Sequence, residues 1–334
     1  MVILSIILAI VLAGSLAYSL LILVAARQYL SASVPVQRNT PDGVAPPISV
    51  LKPLCGLEDE LEKNIRSFVD QDYTSFEILF AVHRPDDPAV GVAERIKSEA
   101  SDRVSMRLIV SGESPIPNAK SFSLQRLVQE ARYDFLVMSD SDVRVTPDLL
   151  QRISGQFSDP RVGVITCPYR AVPGRSLWSR LEAVGMNTDF IGGVLVARMI
   201  EGMKFALGPT VAVRREVLDA MGGFAYLRDF LAEDFEMGRR AAELGHTVLL
   251  SSFVIEHHIG SQNLTQNLQH RLRWARSTRR SRPAGYWGEI FTHPLPWALL
   301  LWAVYPATWP ILLLTVILRA GAANMTASGV LKAP

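Results

Sequence analysis

Long apolar stretches near both ends of the chain frame a central part in which short apolar runs alternate with helical patterns. No charged residue occurs from Val2 to Ala26, and about 20 apolar residues suffice to cross a bilayer. A second apolar stretch runs from about Pro294 to Leu318 and contains Pro306 and Pro310 in its interior, which membrane helices tolerate. The pattern therefore predicts one membrane-spanning helix at each end.

The charges beside these stretches predict which side of the membrane the central part occupies. Arg27 and Arg38 follow the first stretch, no charge precedes it, and three arginines at 279, 280 and 282 precede the second. By the positive-inside rule, the central part then faces the cytoplasm. The alternative for the N-terminus is a cleaved signal peptide, suited by the small residues at 31–33. The apolar run is long for a signal peptide and lacks a basic start, which favours an anchor.

The central part predicts an α/β domain. Its apolar runs predict strands at Ile48–Leu51, Glu77–Val82, Arg107–Val110 and Phe135–Ser139, and the helical patterns between them lie at Leu57–Val69, Ala89–Ala100 and Lys120–Ala131. Thr146-Pro147-Asp148 predicts a further helix start, with Thr146 as the cap. This alternation is typical of a mostly parallel sheet.

The predicted organisation has six parts. They are a transmembrane anchor at 1–26, a linker at 27–47, a cytoplasmic catalytic domain at 48–260, an amphipathic interfacial segment at 261–290, a transmembrane helix at 291–319 and a tail at 320–334. Whether a further spanning helix follows the tail is left open. Leucines on one face of Leu264–Arg282, surrounded by arginines, predict a helix lying on an anionic membrane surface or a basic flank of the second span. Between Val184 and Leu207 small and apolar residues predominate, for which we expect core packing rather than a path for a lipid.

Composition adds few constraints. Of 334 residues 49% are hydrophobic, and the mean hydropathy of +0.20 is high for a purely soluble protein. The net charge of +2 gives no general indication of nucleic-acid binding. Cys55 and Cys167 are the only cysteines, which argues against a disulfide framework or a structural zinc site.

Acidic residues follow two predicted strands at the edge where α/β proteins bind ligands. Asp86 and Asp87 come after one strand, and Asp140 and Asp142 end another. Two carboxylates one residue apart can hold a divalent cation and the diphosphate oxygens that it bridges. Because turns are rich in aspartate, an isolated Asp-x-Asp remains weak evidence.

A third acidic pair, Glu233-Asp234, opens a predicted helix at 234–244. Negative charge is favoured at a helix start, so capping alone would explain the pair. Capping alone would not account for the motif Gly222-Gly223-Phe224, which lies upstream of the pair. His257 and His258 have no carboxylate or cysteine at metal-binding spacing, so we expect structural or surface roles for them.

Together these motifs resemble the family 2 and family 21 glycosyltransferases of the GT-A fold, close to ceramide glucosyltransferase and most similar to the bacterial hopanoid-biosynthesis branch. The matching residues are Ile48–Pro53, Asp86–Pro88, Pro117–Lys120, Asp140–Val145, Gly222–Phe224, Ala232–Phe235 and Arg273-Trp274. The resemblance implies an α/β, Rossmann-like GT-A domain with N-terminal and C-terminal transmembrane helices. It implies a multi-pass protein of the bacterial inner membrane with its catalytic domain in the cytoplasm.

The resemblance also implies roles for individual residues. Asp140 and Asp142 would hold a divalent metal, Mg²⁺ or Mn²⁺, and Asp234 would be the general base. The residues implied to bind the UDP-sugar donor are Lys52, Pro53, Asp86, Asp87, Lys120, Arg273 and Trp274. For Lys120 an ordinary solvated lysine is the alternative. His270 stands where the family's Q/R-x-x-R-W motif has Gln or Arg, so its role is left open.

The implied function is inverting transfer of one sugar from UDP-N-acetylglucosamine or UDP-glucose to the hydroxyl of a membrane lipid, a hopanoid polyol or ceramide-like. The expected partners are the donor, the lipid acceptor and the bilayer, with no nucleic acid. A processive polysaccharide synthase shares the acidic motifs but usually carries more spanning helices. A non-catalytic membrane scaffold or transporter subunit is the third hypothesis. The lack of charges in both apolar stretches argues against transport, and the presence of all the acidic positions argues against a catalytically inactive domain.

Overall fold

The computed structural model describes residues 2–32, 45–100 and 104–333, which form two compact units. The sheet unit comprises the described residues from 45 to 179 and 203–262. The helical unit comprises residues 2–32, 180–202 and 263–333. The predicted catalytic domain at 48–260 was continuous, whereas here residues 180–202 interrupt it and belong to the helical unit.

The described part of the chain has ten strands, all of them in the sheet unit. They are β1 (Ile48–Pro53), β2 (Phe76–Val82), β3 (Ser105–Val110), β4 (Phe135–Ser139), β5 (Val143–Arg144), β6 (Val162–Thr166), β7 (Tyr169–Val172), β8 (Thr210–Arg214), β9 (Thr247–Leu250) and β10 (Ile255–His258).

The α-helices occur in both units. They are α1 (Val2–Ser31), α2 (Leu61–Val69), α3 (Pro88–Glu99), α4 (Ala119–Glu130), α5 (Leu149–Gln156), α6 (Leu177–Gly185), α7 (Ile191–Glu201), α8 (Arg215–Ala220), α9 (Gly223–Leu227), α10 (Glu233–Glu243), α11 (Leu264–Ser281), α12 (Pro283–Gly288), α13 (Pro294–Val304) and α14 (Trp309–Asn324). Two π-helical turns, Met186–Phe190 and Met325–Val330, and two 3₁₀ turns, Glu289–Phe291 and Pro306–Thr308, complete the helical segments.

Seven strands form a twisted, mostly parallel sheet in the order β3-β2-β1-β4-β8-β6-β9. The first four are mutually parallel, β8 runs antiparallel to β4 and β6, and β9 is parallel to β6. All seven residues of β2 are buried, as expected for a strand with helices over both sheet faces. Leu51 of β1, Leu79 of β2 and Leu136 of β4 lie in the main core. The parallel order brings the carboxyl ends of β1, β2 and β4 to one edge.

A second sheet, in the order β5-β10-β7, has three short strands. Val143 of β5 is paired with His257 of β10. Since β5 begins one residue after Asp142, this pairing brings residues more than a hundred positions apart to the end of β4.

The local sequence predicted the strands better than the helix starts. Phe135–Ser139 is confirmed as a strand, and the other three predicted strands are found with small extensions. The prediction that Thr146 caps a helix is wrong, because α5 begins at Leu149. The Thr146 carbonyl instead accepts hydrogen bonds from Gln71 Nε2 at 2.9 Å and from the Leu149 amide at 3.2 Å. A turn therefore separates this residue from the helix.

In the helical unit, three helices are long and apolar enough to cross a membrane: Ile3–Ser31, Leu177–Glu201 and Pro306–Val330. The first extends beyond the predicted anchor at 1–26 into the predicted linker, of which residues 33–44 lie outside the described part of the chain. The second was not predicted. The third continues through the residues predicted to form a tail.

The prediction of one continuous helix at 291–319 is wrong. α13 ends at Val304, and Tyr305 is extended, with φ −133° and ψ 92°, because the residue before a proline avoids the helical region. A short turn from Pro306 then leads into α14, and both helices pack against α1. Charged side chains also occur in the candidate spans, since Asp189 and Arg319 form an ion pair.

Candidate functional site

The loop that follows β4 is held in place through its backbone. Asp140 donates its amide to the Pro209 carbonyl at 3.1 Å and accepts at its own carbonyl from Lys52 Nζ at 2.7 Å. The Asp142 carbonyl accepts from the His258 amide at 2.8 Å. With their backbone polar groups bound, the Asp140 and Asp142 carboxylates remain 28% and 26% exposed, accessible to a ligand at the sheet edge.

Lys120 links two of the acidic motifs. Its Nζ lies 2.6 Å from Asp140 Oδ1 and 3.5 Å from Glu233 Oε1. Asn118, whose side-chain oxygen caps α4, donates from Nδ2 to Glu233 Oε2 at 3.0 Å. Burial opposes the charged ammonium of Lys120, but Asp140 and Glu233 raise its pKa above the usual value. Lys120 is therefore a paired cation inside the site, and the alternative of an ordinary solvated lysine is wrong.

His257 contacts the second aspartate of the Asp-x-Asp pair. Its Nε2 lies 2.9 Å from Asp142 Oδ2. Burial would lower the imidazole pKa, but Asp142 raises it above the ordinary value. Burial likewise opposes ionisation of Asp142, yet the His257 contact holds that carboxyl pKa below its usual range. The sequence predicts a structural or surface role for this histidine, since no carboxylate lies at metal-binding spacing, and the pairing of β5 with β10 brings the Asp142 carboxylate to it.

Asp234 lies in the first turn of α10, where Glu233 and Glu236 also concentrate negative charge. Burial and the neighbouring Glu233 carboxylate raise the pKa of Asp234 from 3.8 to about 6. A Cβ atom at Gly208 would come within 2.9 Å of Asp234 Oδ2, so glycine there leaves room for the carboxylate. Asp234, Asp140 and Lys120 line one cavity of about 20 Å³, enough for about one water molecule.

The donor set is compatible with a hard divalent cation. In the ranges that the structure describes, no group of three His, Cys, Asp or Glu side chains is arranged to hold a metal. Mg²⁺ commonly takes only one or two carboxylates and completes its shell with water and phosphate. Asp142 Oδ1 is buried and has no hydrogen-bond partner, which leaves it available to such an ion. Asp140 and Asp142 therefore fit a metal that arrives with a phosphate ligand.

Lys52, predicted to bind the donor, contacts the backbone of the loop that follows β4. The side chain is fully buried, and its Nζ lies 3.8 Å above the centroid of the Phe68 ring while donating to the Asp140 carbonyl. Burial lowers the Lys52 pKa to about 7, against the attraction of Asp140. Lys52 thus holds the loop that follows β4 through its backbone, and Pro53 ends the same strand.

Asp86 and Asp87 follow β2 at the same edge but differ in their contacts. Asp86 is exposed and pairs with Arg84 at 2.9 Å. Asp87 caps α3 by accepting from the Ala89 amide at 2.8 Å, and also accepts from the Gly56 amide at 3.0 Å. A role for either carboxylate in binding a nucleotide stays a prediction.

Arg273 and Trp274 belong to α11 in the helical unit. Arg273 is exposed, whereas the Trp274 ring lies between His270 and Phe190, with centroids 4.9 Å and 5.6 Å away. Their predicted role toward a donor is not tested by this geometry.

The sheet unit brings together Asp140, Asp142, Lys120 and Asp234 as predicted from their motifs. Sequence reasoning missed the parts played by Asn118, Glu233 and His257. Asn118 and Glu233 stand inside the motifs Pro117–Lys120 and Ala232–Phe235, which was the available signal. For His257 the sequence offers no local signal, because its contact with Asp142 depends on the pairing of β5 with β10.

Comparison with known proteins agrees with this arrangement. The sequence profile of glycosyl transferase family 21 matches residues 7–334. Ceramide glucosyltransferase 3 of Caenorhabditis elegans is 25% identical over 236 residues, which are 70% of this chain and 51% of that protein. Ceramide glucosyltransferase 1 of the same organism is 26% identical over 64% of this chain and 45% of its own length. The chain thus spans about half the length of these relatives.

A solved structure shares the fold over almost the whole chain. The mannosyltransferase PcManGT from Pyrobaculum calidifontis, in complex with GDP-Man and Mn²⁺, aligns over 97% of this chain and 96% of its own, with a TM-score of 0.64 and 18% identity. The GT-A fold with apolar helices at both ends is confirmed. The chain belongs to glycosyl transferase family 21.

Proposed function

We propose that this family 21 protein is a membrane-bound, inverting glycosyltransferase that moves one sugar from a UDP-sugar to the hydroxyl of a membrane lipid. The observation that carries the proposal is that Asp140 and the high-pKa Asp234 carboxylate line one cavity at the sheet edge, with Asp142 two residues from Asp140. The Asp140–Asp142 pair is suited to binding a metal–diphosphate, and Asp234 is suited to accepting a proton.

The residues around Asp140 would hold the leaving group. A bound Mg²⁺ or Mn²⁺ supplies Lewis-acid stabilisation of the departing diphosphate, and Asp140 and Asp142 would hold it. Lys120 contributes a second positive charge beside Asp140. A point charge of this kind is a common phosphate contact in nucleotide sites.

Asp234 is better suited than Glu233 to take the acceptor's proton. The two Glu233 oxygens face Lys120 and Asn118. Both oxygens of the Glu233 carboxylate therefore already have partners. The pKa of Asp234, about 6, makes it a stronger base than an ordinary aspartate while it remains ionised near pH 7. Its carboxylate would accept the hydroxyl proton as the acceptor oxygen bonds to the anomeric carbon. The bond from that carbon to the diphosphate oxygen breaks on the opposite face, which gives inversion.

Other features support the donor and acceptor classes. The relatives' names specify glucosyl transfer to ceramide, and the GT-A neighbour was solved with a nucleotide sugar and Mn²⁺. Three apolar helices of spanning length suit an enzyme that works on a lipid. Within this class we propose UDP-glucose or UDP-N-acetylglucosamine as donor and a ceramide-like lipid or hopanoid polyol as acceptor. The arginines flanking the spans support a cytoplasmic site, and the resemblance to the bacterial hopanoid branch is the basis for proposing a bacterial inner membrane.

The test is a transfer assay on the full chain in membranes with Mg²⁺ or Mn²⁺, labelled UDP-glucose or UDP-N-acetylglucosamine, and each lipid. We expect label in one lipid, and we expect Asp234→Asn to lower kcat roughly 10²- to 10⁴-fold while UDP affinity is retained. Asp229→Asn, an exposed aspartate nearby, is the matched control and should leave transfer unchanged. Unaltered transfer in Asp234→Asn would contradict the assignment, and label in a polymer would favour a polysaccharide synthase.

A further inference from the structure

A buried carboxylate in the helical unit, outside the acidic site, has hydrogen-bond partners for both of its oxygens on one helix. The Glu182 side chain on α6 is 5% exposed. Its Oε2 accepts from Asn267 Nδ2 at 2.7 Å, and its Oε1 lies 2.5 Å from His270 Nδ1. A buried charge is costly unless it is paired and hydrogen-bonded. Both partners of Glu182 come from α11, so this carboxylate fixes one face of that helix.

The imidazole of His270, which contacts Glu182, also contacts the ring of Trp274. His270 and Trp274 are four residues apart on α11 and therefore neighbours on its surface. Their rings meet edge to face at 4.9 Å and 61°. Phe190, in the π-helical turn, contacts the indole at 5.6 Å. Since the Glu182 bond orients the imidazole and the imidazole packs on the indole, the carboxylate determines where the Trp274 ring points.

We propose that Glu182 and His270 are positioning residues for the Arg273-Trp274 pair. The inference rests on the proposed function and on the donor-binding role that the family resemblance implies for that pair. Position 270 is where the resembling family has Gln or Arg. Here a histidine anchored by a buried glutamate orients the tryptophan.

A purely structural role is less consistent with the other contacts of α11. Its N-terminus has its own capping box between Asn263 and Gln266. At its C-terminal end, Arg282 pairs with Glu201 at 2.5 Å. Because these contacts stabilise both ends independently, loss of Glu182 should leave the helix formed and release the Trp274 ring.

The experiment is a double-mutant cycle on the full chain in detergent, comparing Glu182→Ala, Trp274→Ala and the double variant. UDP affinity is measured by calorimetry and transfer kinetics beside it. We expect Glu182→Ala to weaken UDP binding and raise the donor KM about tenfold, an effect of misplacing a contact group. In the Trp274→Ala background the same substitution should cost nothing further. Glu201→Ala removes a more exposed ion pair at the end of the same helix and should leave UDP affinity unchanged.

Conservative variants keep the test decisive if Glu182→Ala folds poorly. Glu182→Gln retains an oxygen for Asn267 and should keep most of the affinity, and His270→Gln should be tolerated. Full additivity of Glu182→Ala with Trp274→Ala would overturn the proposal, as would equal losses from Glu182→Ala and Glu201→Ala, or a tenfold loss of UDP affinity in Glu182→Gln that persists in the Trp274→Ala background. Failure of the proposed function would appear separately, as unchanged transfer in Asp234→Asn, while the coupling in UDP binding stays measurable.

Discussion

The carboxylates of the two units differ in how their charge is balanced. In the sheet unit four acids converge on two lysines and one imidazole; the acids are Asp140, Asp142, Glu233 and Asp234, and the bases are Lys120, His257 and Lys52, whose pKa burial lowers to about 7. In the helical unit three acids each face a basic partner, in the pairs Asp189–Arg319, Glu182–His270 and Glu201–Arg282.

This difference distinguishes acids that bind a ligand from acids that hold helices in position. Excess negative charge in a half-buried site costs folding free energy, and a cationic ligand relieves that cost, so the imbalance indicates where a metal–diphosphate binds. Balanced pairs attract no ion, and their main effect is to hold helices in one arrangement. The same substitution, an acid replaced by a neutral residue, should therefore have opposite effects on stability in the two regions.

The largest expected effect is in the helical unit. Asp189→Leu leaves Arg319, whose side chain is 14% exposed, unpaired among apolar helices. Breaking one side of such a pair costs about 3–5 kcal/mol, so the thermal midpoint in detergent should fall by several degrees. Replacing both residues with leucine should restore most of the loss. Equal losses in the single and double variants would show that the charges do not interact.

In the site the expected effect has the opposite sign. Because the folded pKa of Asp234 is raised to about 6, its contribution to stability is fully present below the unfolded value near pH 4. That contribution is lost as the pH rises through 6. Asp234→Asn should therefore raise the free energy of unfolding at pH 7 by about 1–2 kcal/mol in metal-free protein. The gain should vanish near pH 4 in unfolding curves measured across this range. A destabilised variant at pH 7 would contradict the picture of excess charge.

The smallest expected effects separate Asp87 from Asp86. Asp87→Ala removes a helix cap and should cost about 1 kcal/mol, whereas Asp86→Ala removes an exposed ion pair and should change stability by less than about 0.5 kcal/mol. Thermal unfolding of both variants, beside UDP affinity, tests the comparison. A selective loss of UDP affinity in Asp86→Ala would identify it as the nucleotide contact, and the reverse would identify Asp87.

The sequence predicted the βαβα order because each buried strand is a short apolar run, a feature contained within a few residues. It missed the candidate span Leu177–Glu201 because Glu182 and Asp189 interrupt the apolar pattern. Those charges are compensated by His270 and Arg319, which lie far along the chain. A hydropathy average over neighbouring residues treats these charges as unpaired, because their partners lie outside the averaged stretch.

The sequence by itself determined the α/β class, the acidic motifs and the apolar ends, because short apolar runs and apolar stretches are local features, and the motifs together carried the resemblance to GT-A glycosyltransferases. Only the tertiary structure decided that Glu233 is committed to Lys120 and Asn118, that His257 contacts Asp142, and that Glu182 fixes the helix carrying Trp274. Each of these contacts joins residues more than eighty positions apart. Their charges interact only once strand pairing and helix packing have brought them within a few ångströms.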